Sequence, residues 1–234
     1  MLRRSTGAVS DLVLRGNVCF LHQSSVNRFK EGRGTGKSSL FSNERRWKDD
    51  LTFHALGTID ELSSQIGKCR NYVLKEGLFD VCEVLTRVQS SLQDVGAHVA
   101  TPPDASKSKL SEPPESSTRT KFDVSVYEFV NKHIDVYGDR VPPLREFILT
   151  GGNDASSELQ CARSICRRAE RCMVPLLRED VIDKNALRFI NRYYTPLSDL
   201  LFVLGRFTCY TTGTRESRYQ KFHEFDPLKT YYQF

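Results

Sequence analysis

The residues of this chain best suited to chemistry lie in one short stretch, Arg163-Ser164-Ile165-Cys166-Arg167-Arg168-Ala169-Glu170-Arg171. On a helix turning about 100° per residue, with Arg163 as zero, Arg167 falls at about 40°, Glu170 at about −20°, Arg171 at about 80° and Arg168 at about 140°. Arg163, Arg167, Arg171 and Glu170 then share an arc of about 100°. Like charge at that density repels itself unless an anion or facing carboxylates neutralise it, and planar guanidinium groups suit a polyphosphate. A solvated face laced by i,i+3 and i,i+4 pairs is the plainer reading. The apolar residues Leu159, Ile165, Cys166, Ala169, Met173 and Val174 among the arginines favour a charged arc bordering an interface.

A second constellation is Glu44-Arg45-Arg46-Trp47-Lys48-Asp49-Asp50, followed by Gly57-Thr58-Ile59-Asp60-Glu61-Leu62. It supplies a lysine just before a helix start and acids able to pair with an arginine face. Gly34-Thr35-Gly36-Lys37-Ser38-Ser39 looks like the end of a phosphate-binding P-loop, but Glu31 stands where the motif needs its first glycine. Glycines and hydroxyls there could still cradle phosphate through backbone N–H groups. Seven cysteines include no C-x-x-C pair, and their odd number argues against a complete disulfide framework, so reduced thiols are expected. None of the five histidines follows a Glu by three positions, so no protein-held transition metal is expected.

These residues need a scaffold, and the period of the chain is helical. Leu51, Phe53, Leu56, Ile59, Leu62, Ile66 and Val73 predict a helix from Asp49 to about Val73; Val81, Val84, Leu85, Val88, Leu92, Val95 and Val99 predict another from Leu78 to Ala100. Residues 101–121, with four prolines and many Ser and Thr, read as a flexible connection. A third helix is expected from about Val124 to Tyr137 and a fourth from about Ser156 to Leu177, capped by Asp154 or Ser156, with Pro175 in its last turn. The fifth runs from about Lys184 to Tyr210, interrupted near Pro196. The expected fold is an all-α, five-helix bundle.

Of the 234 residues, 34 are Lys or Arg and 29 Asp or Glu, and no apolar run is long enough to cross a bilayer. Residues 1–48 hold ten bases and three acids, leaving 24 bases and 26 acids beyond them. A nucleic-acid binder would carry its positive excess on the folded domain, so neither nucleic acid nor membrane is expected as a partner. The Arg-rich, acid-poor residues 1–29 have the composition of a mitochondrial transit peptide. The domain is expected over 30–212, with a tail at 213–234.

Taken in order, E-R-R-x-K-D-D (44–50), A-x-G-T-x-D-E-L-S-S (55–64), L-Q-D-V-G (92–96), A-T-P (100–102), P-P-L-x-x-F-I-L-x-G-G (142–152), S-S-x-L (156–159), C-R-R-A-E-R (166–171) and F-I-N-R (189–192) resemble the PduO-type ATP:cob(I)alamin adenosyltransferases. The resemblance implies a homotrimer that binds ATP, with Mg²⁺, and the corrinoid at subunit interfaces. It implies that Lys48, Arg167, Arg171 and Asn191 contact the nucleotide, with Ser38 and Ser39 on a phosphate loop and Glu170 positioning the arginines. Asp60 and Arg163 match a pair that forms a salt bridge across subunits. Phe147 matches the aromatic residue that displaces the lower axial ligand of cobalamin. The residues implied to carry the reaction are thus Arg163, Arg167, Asp60 and Phe147, and the product would pass to an adenosylcobalamin-dependent acceptor enzyme.

Two departures from the family pattern stand out. The family loop T-x-T-G-D-x-G is here Lys30-Glu31-Gly32-Arg33-Gly34-Thr35-Gly36, which keeps only the last glycine, and Arg33 or Lys37 are the candidate substitutes. The family also runs N-R straight into L-S-D, whereas Tyr193-Tyr194-Thr195-Pro196 here separates Asn191-Arg192 from Leu197-Ser198-Asp199. Four residues add about one turn and 40° of rotation. Both departures motivate an alternative, a non-catalytic member that binds and delivers cobalamin.

Overall fold

Six helices and a two-stranded hairpin make up the described residues, which are 36–40, 44–102, 123, 125–190 and 197–221 of a computed structural model. The hairpin pairs β1 (Lys37–Ser39) with β2 (Arg45–Trp47) antiparallel, Ser38 opposite Arg46. The helices are α1 (Leu51–Lys75), α2 (Phe79–Val99), α3 (Ser125–Gly138), α4 (Asp154–Arg178), α5 (Lys184–Ile190) and α6 (Leu197–Thr212). The bundle class is as expected, and α1 to α4 begin and end within two residues of the spans that periodicity predicts.

Two details differ. The hairpin is not foreseen, because strands reading KSS and RRW carry no alternation of apolar and polar residues. The cap of α4 is Asn153, not Asp154 or Ser156: its Oδ1 accepts from the Ser156 N–H at 2.8 Å. Asp154 is instead the first helical residue, where its charge meets the positive end of the helix dipole. The last helix is described as α5 and α6, on either side of the interruption expected near Pro196; residues 191–196, with Asn191 and the inserted segment, lie outside the described residues, as do the leader and residues 103–122.

The amphipathic faces explain the packing. Helix α1 lies between α2 and α4, and α6 between α3 and α4, with α5 against α4. Leu62 and Ile66 of α1, Leu85 and Leu92 of α2, Leu159 and Met173 of α4, and Leu200 and Leu204 of α6 are completely buried. Each such side chain contributes about 1.5–3 kcal/mol by leaving water. Helices α1 and α4 are antiparallel: the Thr58 hydroxyl meets Cys172 Sγ at 3.7 Å, Glu61 pairs with Arg168, and Gln65 Nε2 donates to Glu158 Oε2 at 2.6 Å. Buried His98 accepts the Asp183 N–H at Nε2, 2.8 Å away, tying the end of α2 to the turn before α5. The six described cysteines are free thiols, and burial pushes Cys69 up to about 12.

Candidate functional site

Helix α4 places its charges by period alone. Arg163 and Glu170 are half-buried at the edge of the packed face, Arg167 and Arg171 are exposed, and Arg168 is exposed on the opposite edge, beside α1. Arg168 is neutralised there by Glu61. Among the described residues Arg167 and Arg171 make no ion pair, and Arg163 is held through its Nε by the Gln160 side-chain oxygen at 2.9 Å. The arc is therefore a set of uncompensated cations, one of them aimed by a buried amide. Sequence reasoning missed Gln160, although its place three residues before Arg163 was the available signal.

The buried Cys166 thiol, next to Arg167 in the sequence, lies 4.0 Å from the Ile190 carbonyl oxygen at the end of α5. Burial first, then the charges of Glu170 and Asp199, push the Cys166 thiol far above its ordinary value, and Arg167 opposes them only in part. Cys166 is thus a neutral core residue and not a nucleophile.

At the start of α1 the hairpin gathers Ser38, Ser39 and Lys48. The Lys48 N–H donates to the Gly36 carbonyl at 2.9 Å, and Gly36 has φ +64°, a left-handed conformation that a side chain would strain. A Cβ on Gly36 would also come within 3.2 Å of the Trp47 indole. Lys37 stands over that indole at 4.7 Å, so the lysine considered as a phosphate ligand is engaged on the hairpin; Arg33 lies outside the described residues. Asp50 caps α1 by accepting from the Thr52 N–H at 2.8 Å. Partial burial works against its charge, but the Thr52 donors and Arg46 outweigh it and hold the carboxyl below the usual carboxylate value.

Phe147 stands at the other end of the molecule, its ring 83 % exposed. Its carbonyl accepts from the Tyr219 N–H at 2.8 Å, and the Leu149 N–H donates to the Ser217 carbonyl at 2.8 Å. Asn153 then enters α4 with its side-chain amide on the Thr212 hydroxyl, 3.0 Å away. Because α1 and α4 are antiparallel, the hairpin lies near the C-terminal end of α4 and Phe147 near its N-terminal end. The 25 residues of α4 separate the two by roughly 35 Å.

The structure thus brings Arg163, Arg167, Glu170 and Arg171 together, and separately Ser38, Ser39 and Lys48. It does not bring Asp60 to Arg163. Asp60 is exposed and, among the described residues, makes no ion pair. Among the described residues no group of three His, Cys, Asp or Glu side chains could hold a metal ion, and no helix is long and apolar enough to cross a membrane.

The fold is a helical bundle with a short hairpin before its first long helix; among the described residues Arg167 and Arg171 make no ion pair, and Phe147 is exposed. Residues 30–208 match the cobalamin adenosyltransferase family model, and the chain belongs to that family. It is 41% identical over 187 residues to the human corrinoid adenosyltransferase MMAB, covering 80% of this chain and 70% of that protein. It is 34% identical to a corrinoid adenosyltransferase of Bacillus subtilis, over 74% of this chain and 82% of the relative. Among solved structures, a variant PduO-type ATP:corrinoid adenosyltransferase from Lactobacillus reuteri complexed with cobalamin and ATP superposes with a TM-score of 0.69 at 30% identity, covering 82% of this chain and 98% of that one.

Proposed function

We propose that this protein transfers the 5′-deoxyadenosyl group of ATP to cob(I)alamin, giving adenosylcobalamin and triphosphate. The observation that carries this reading is the uncompensated arc of Arg167 and Arg171 beside Gln160-held Arg163, within a chain of the family just named. The cob(I)alamin substrate is itself the nucleophile: its cobalt lone pair forms a bond to C5′, the C5′–O bond breaks, and the electron pair leaves with the triphosphate. No proton moves in that step, so no side chain has to act as a general base. What remains for the protein is orientation and charge, and both are worth most in a fixed, partly dry site. Arg167 and Arg171, with Lys48 and the Ser38–Ser39 strand, hold the triphosphate; Asn191 completes the nucleotide contacts and Glu170 orients the arginines. A site so rich in cations and poor in carboxylates suits Mg²⁺ carried in by the phosphates, as that ion commonly is.

Phe147 offers an apolar ring to the lower face of the corrin and keeps an axial ligand away. Its distance from the hairpin supports a site built between copies of the chain, and unpaired Asp60 supports a cross-subunit pair with Arg163, so we assign a homotrimer. The composition of the leader supports mitochondrial import, with the product passed to an adenosylcobalamin-dependent acceptor enzyme.

The test is anaerobic incubation with chemically reduced cob(I)alamin and Mg·ATP. The expected result is spectral conversion to a light-sensitive alkylcobalamin with one triphosphate released for each corrin converted. A folded protein that binds both substrates without conversion would replace this reading with the cobalamin-delivery one.

A further inference from the structure

Phe147 poses a problem of positioning. A ring 83 % exposed is not held by packing, so its place is set by its backbone. Among the described residues, the backbone of residues 143–150 makes hydrogen bonds to the main chain only at Phe147 and Leu149, and both go to the segment after α6. That segment begins at the end of a helix and has to be fixed in turn.

One side chain does this. Arg206 of α6 is only 11 % exposed; its Nε lies 3.1 and 3.3 Å from the two carboxylate oxygens of Glu216, and its Nη2 lies 3.3 Å from the second of them. The same Nη2 donates to the Pro142 carbonyl at 3.0 Å. A single guanidinium therefore grips both strands of the bridge, at Pro142 before Phe147 and at Glu216 just before Ser217. Beyond it, Ile148 pairs with Arg218, and Arg218 Nε lies 3.4 Å from Glu146. The planar fork meets the carboxylate in a fixed side-on geometry while an Nη2 hydrogen reaches the carbonyl; a lysine ammonium, a rotatable point charge, would not impose that geometry.

We propose that the Arg206–Glu216 ion pair is the positioning device for Phe147, registering residues 217–219 against 147–149 so that the ring is presented to the corrin. The role assigned to the pair rests on the proposed role of Phe147 beneath the corrin. Neither Arg206 nor Glu216 touches the ligand; they act through the backbone.

The test uses the full chain as Glu216→Ala, with Glu216→Gln as a milder variant should the first fold poorly, and Phe147→Ala alongside. With ATP bound, the four-coordinate fraction of added cob(II)alamin is read by electron paramagnetic resonance, and amide exchange is followed at Leu149 and Tyr219. The expected result is at least tenfold faster exchange at those two amides, unchanged exchange in α1 and α4, and a four-coordinate fraction cut by half or more, toward that of Phe147→Ala. The KM for ATP with cob(I)alamin should stay within twofold. Unchanged exchange at Leu149 and Tyr219 overturns the clamp. Faster exchange with a full four-coordinate fraction overturns the positioning role if Phe147→Ala lowers that fraction. If Phe147→Ala also leaves it intact, the reading of Phe147 is what fails, and the proposal falls with it.

Discussion

Arg168 and Arg171 sit three residues apart on α4 and have opposite assignments, because among the described residues one has a carboxylate partner and the other makes no ion pair. Arg168 is neutralised by Glu61 across the α1–α4 seam, an exposed pair of the kind worth about 0–1 kcal/mol. Arg171 stands uncompensated on the arc. Arg171→Ala should therefore raise the KM for ATP about tenfold, the loss expected when a charge-assisted contact to phosphate goes. Arg168→Ala should leave that KM within twofold and lower the melting temperature slightly. Steady-state kinetics on the two variants decides it; equal effects would mean the arc is not the triphosphate site. The division is legible in the amino-acid sequence, since helical period alone sets Arg168 on a different edge from Arg163, Arg167 and Arg171. What period does not show is which acid reaches which base. Glu61 and Asp60 are neighbours in sequence, yet one closes a seam and the other faces solvent.

Between helices, the same principle separates stability from function. Gly205 of α6 faces α4, and a Cβ there would come within 3.0 Å of Gln160 Nε2. Alanine is favoured over glycine in a helix by about 1 kcal/mol, while the Gln160 amide would have to turn aside, and Arg163 depends on it. Gly205→Ala should thus melt within a few degrees of the parent and yet lose severalfold in kcat, a split visible by combining calorimetry with turnover. The α1–α4 seam has its own pH signature. Glu158 lies 2.7 Å from Lys68 Nζ and 2.6 Å from Gln65 Nε2. The Lys68 hydrogen bond is the largest influence on its carboxyl and, with Gln65, outweighs burial to hold it below the usual value. A depressed folded pKa gives stability that is present above the unfolded value and is lost as pH falls through the folded one. Glu158→Gln should accordingly flatten the acid limb of urea midpoints measured from neutral pH downward; an unaltered limb would show the pair contributes nothing. Long-range partners of this kind explain why the clamp escaped the sequence. Arg206 meets Glu216 ten residues on and Pro142 sixty-four residues back, and no periodic rule links those three positions.

At the scale of the whole molecule, the proposed homotrimer gives Asp60 a partner. Within one chain it is exposed and, among the described residues, makes no ion pair, so the proposed pair with Arg163 draws on a second copy. In a closed ring each interface then takes Asp60 from one subunit and Arg163 from the next, a head-to-tail arrangement. Asp60→Ala and Arg163→Ala should each abolish most activity while leaving the subunit folded, since neither side chain belongs to the core. Mixed by co-expression or by unfolding and refolding together, the two inactive variants should recover about a quarter of the parental rate. Random assortment gives each interface about a one-in-four chance of drawing the intact Asp60 and the intact Arg163 from the proper neighbours. Were both residues needed from the same chain, no combination of the two variants would contain an intact site, and the mixture would stay inactive. The measurement therefore separates a shared site from a self-contained one by recovery of activity, which general destabilisation cannot mimic.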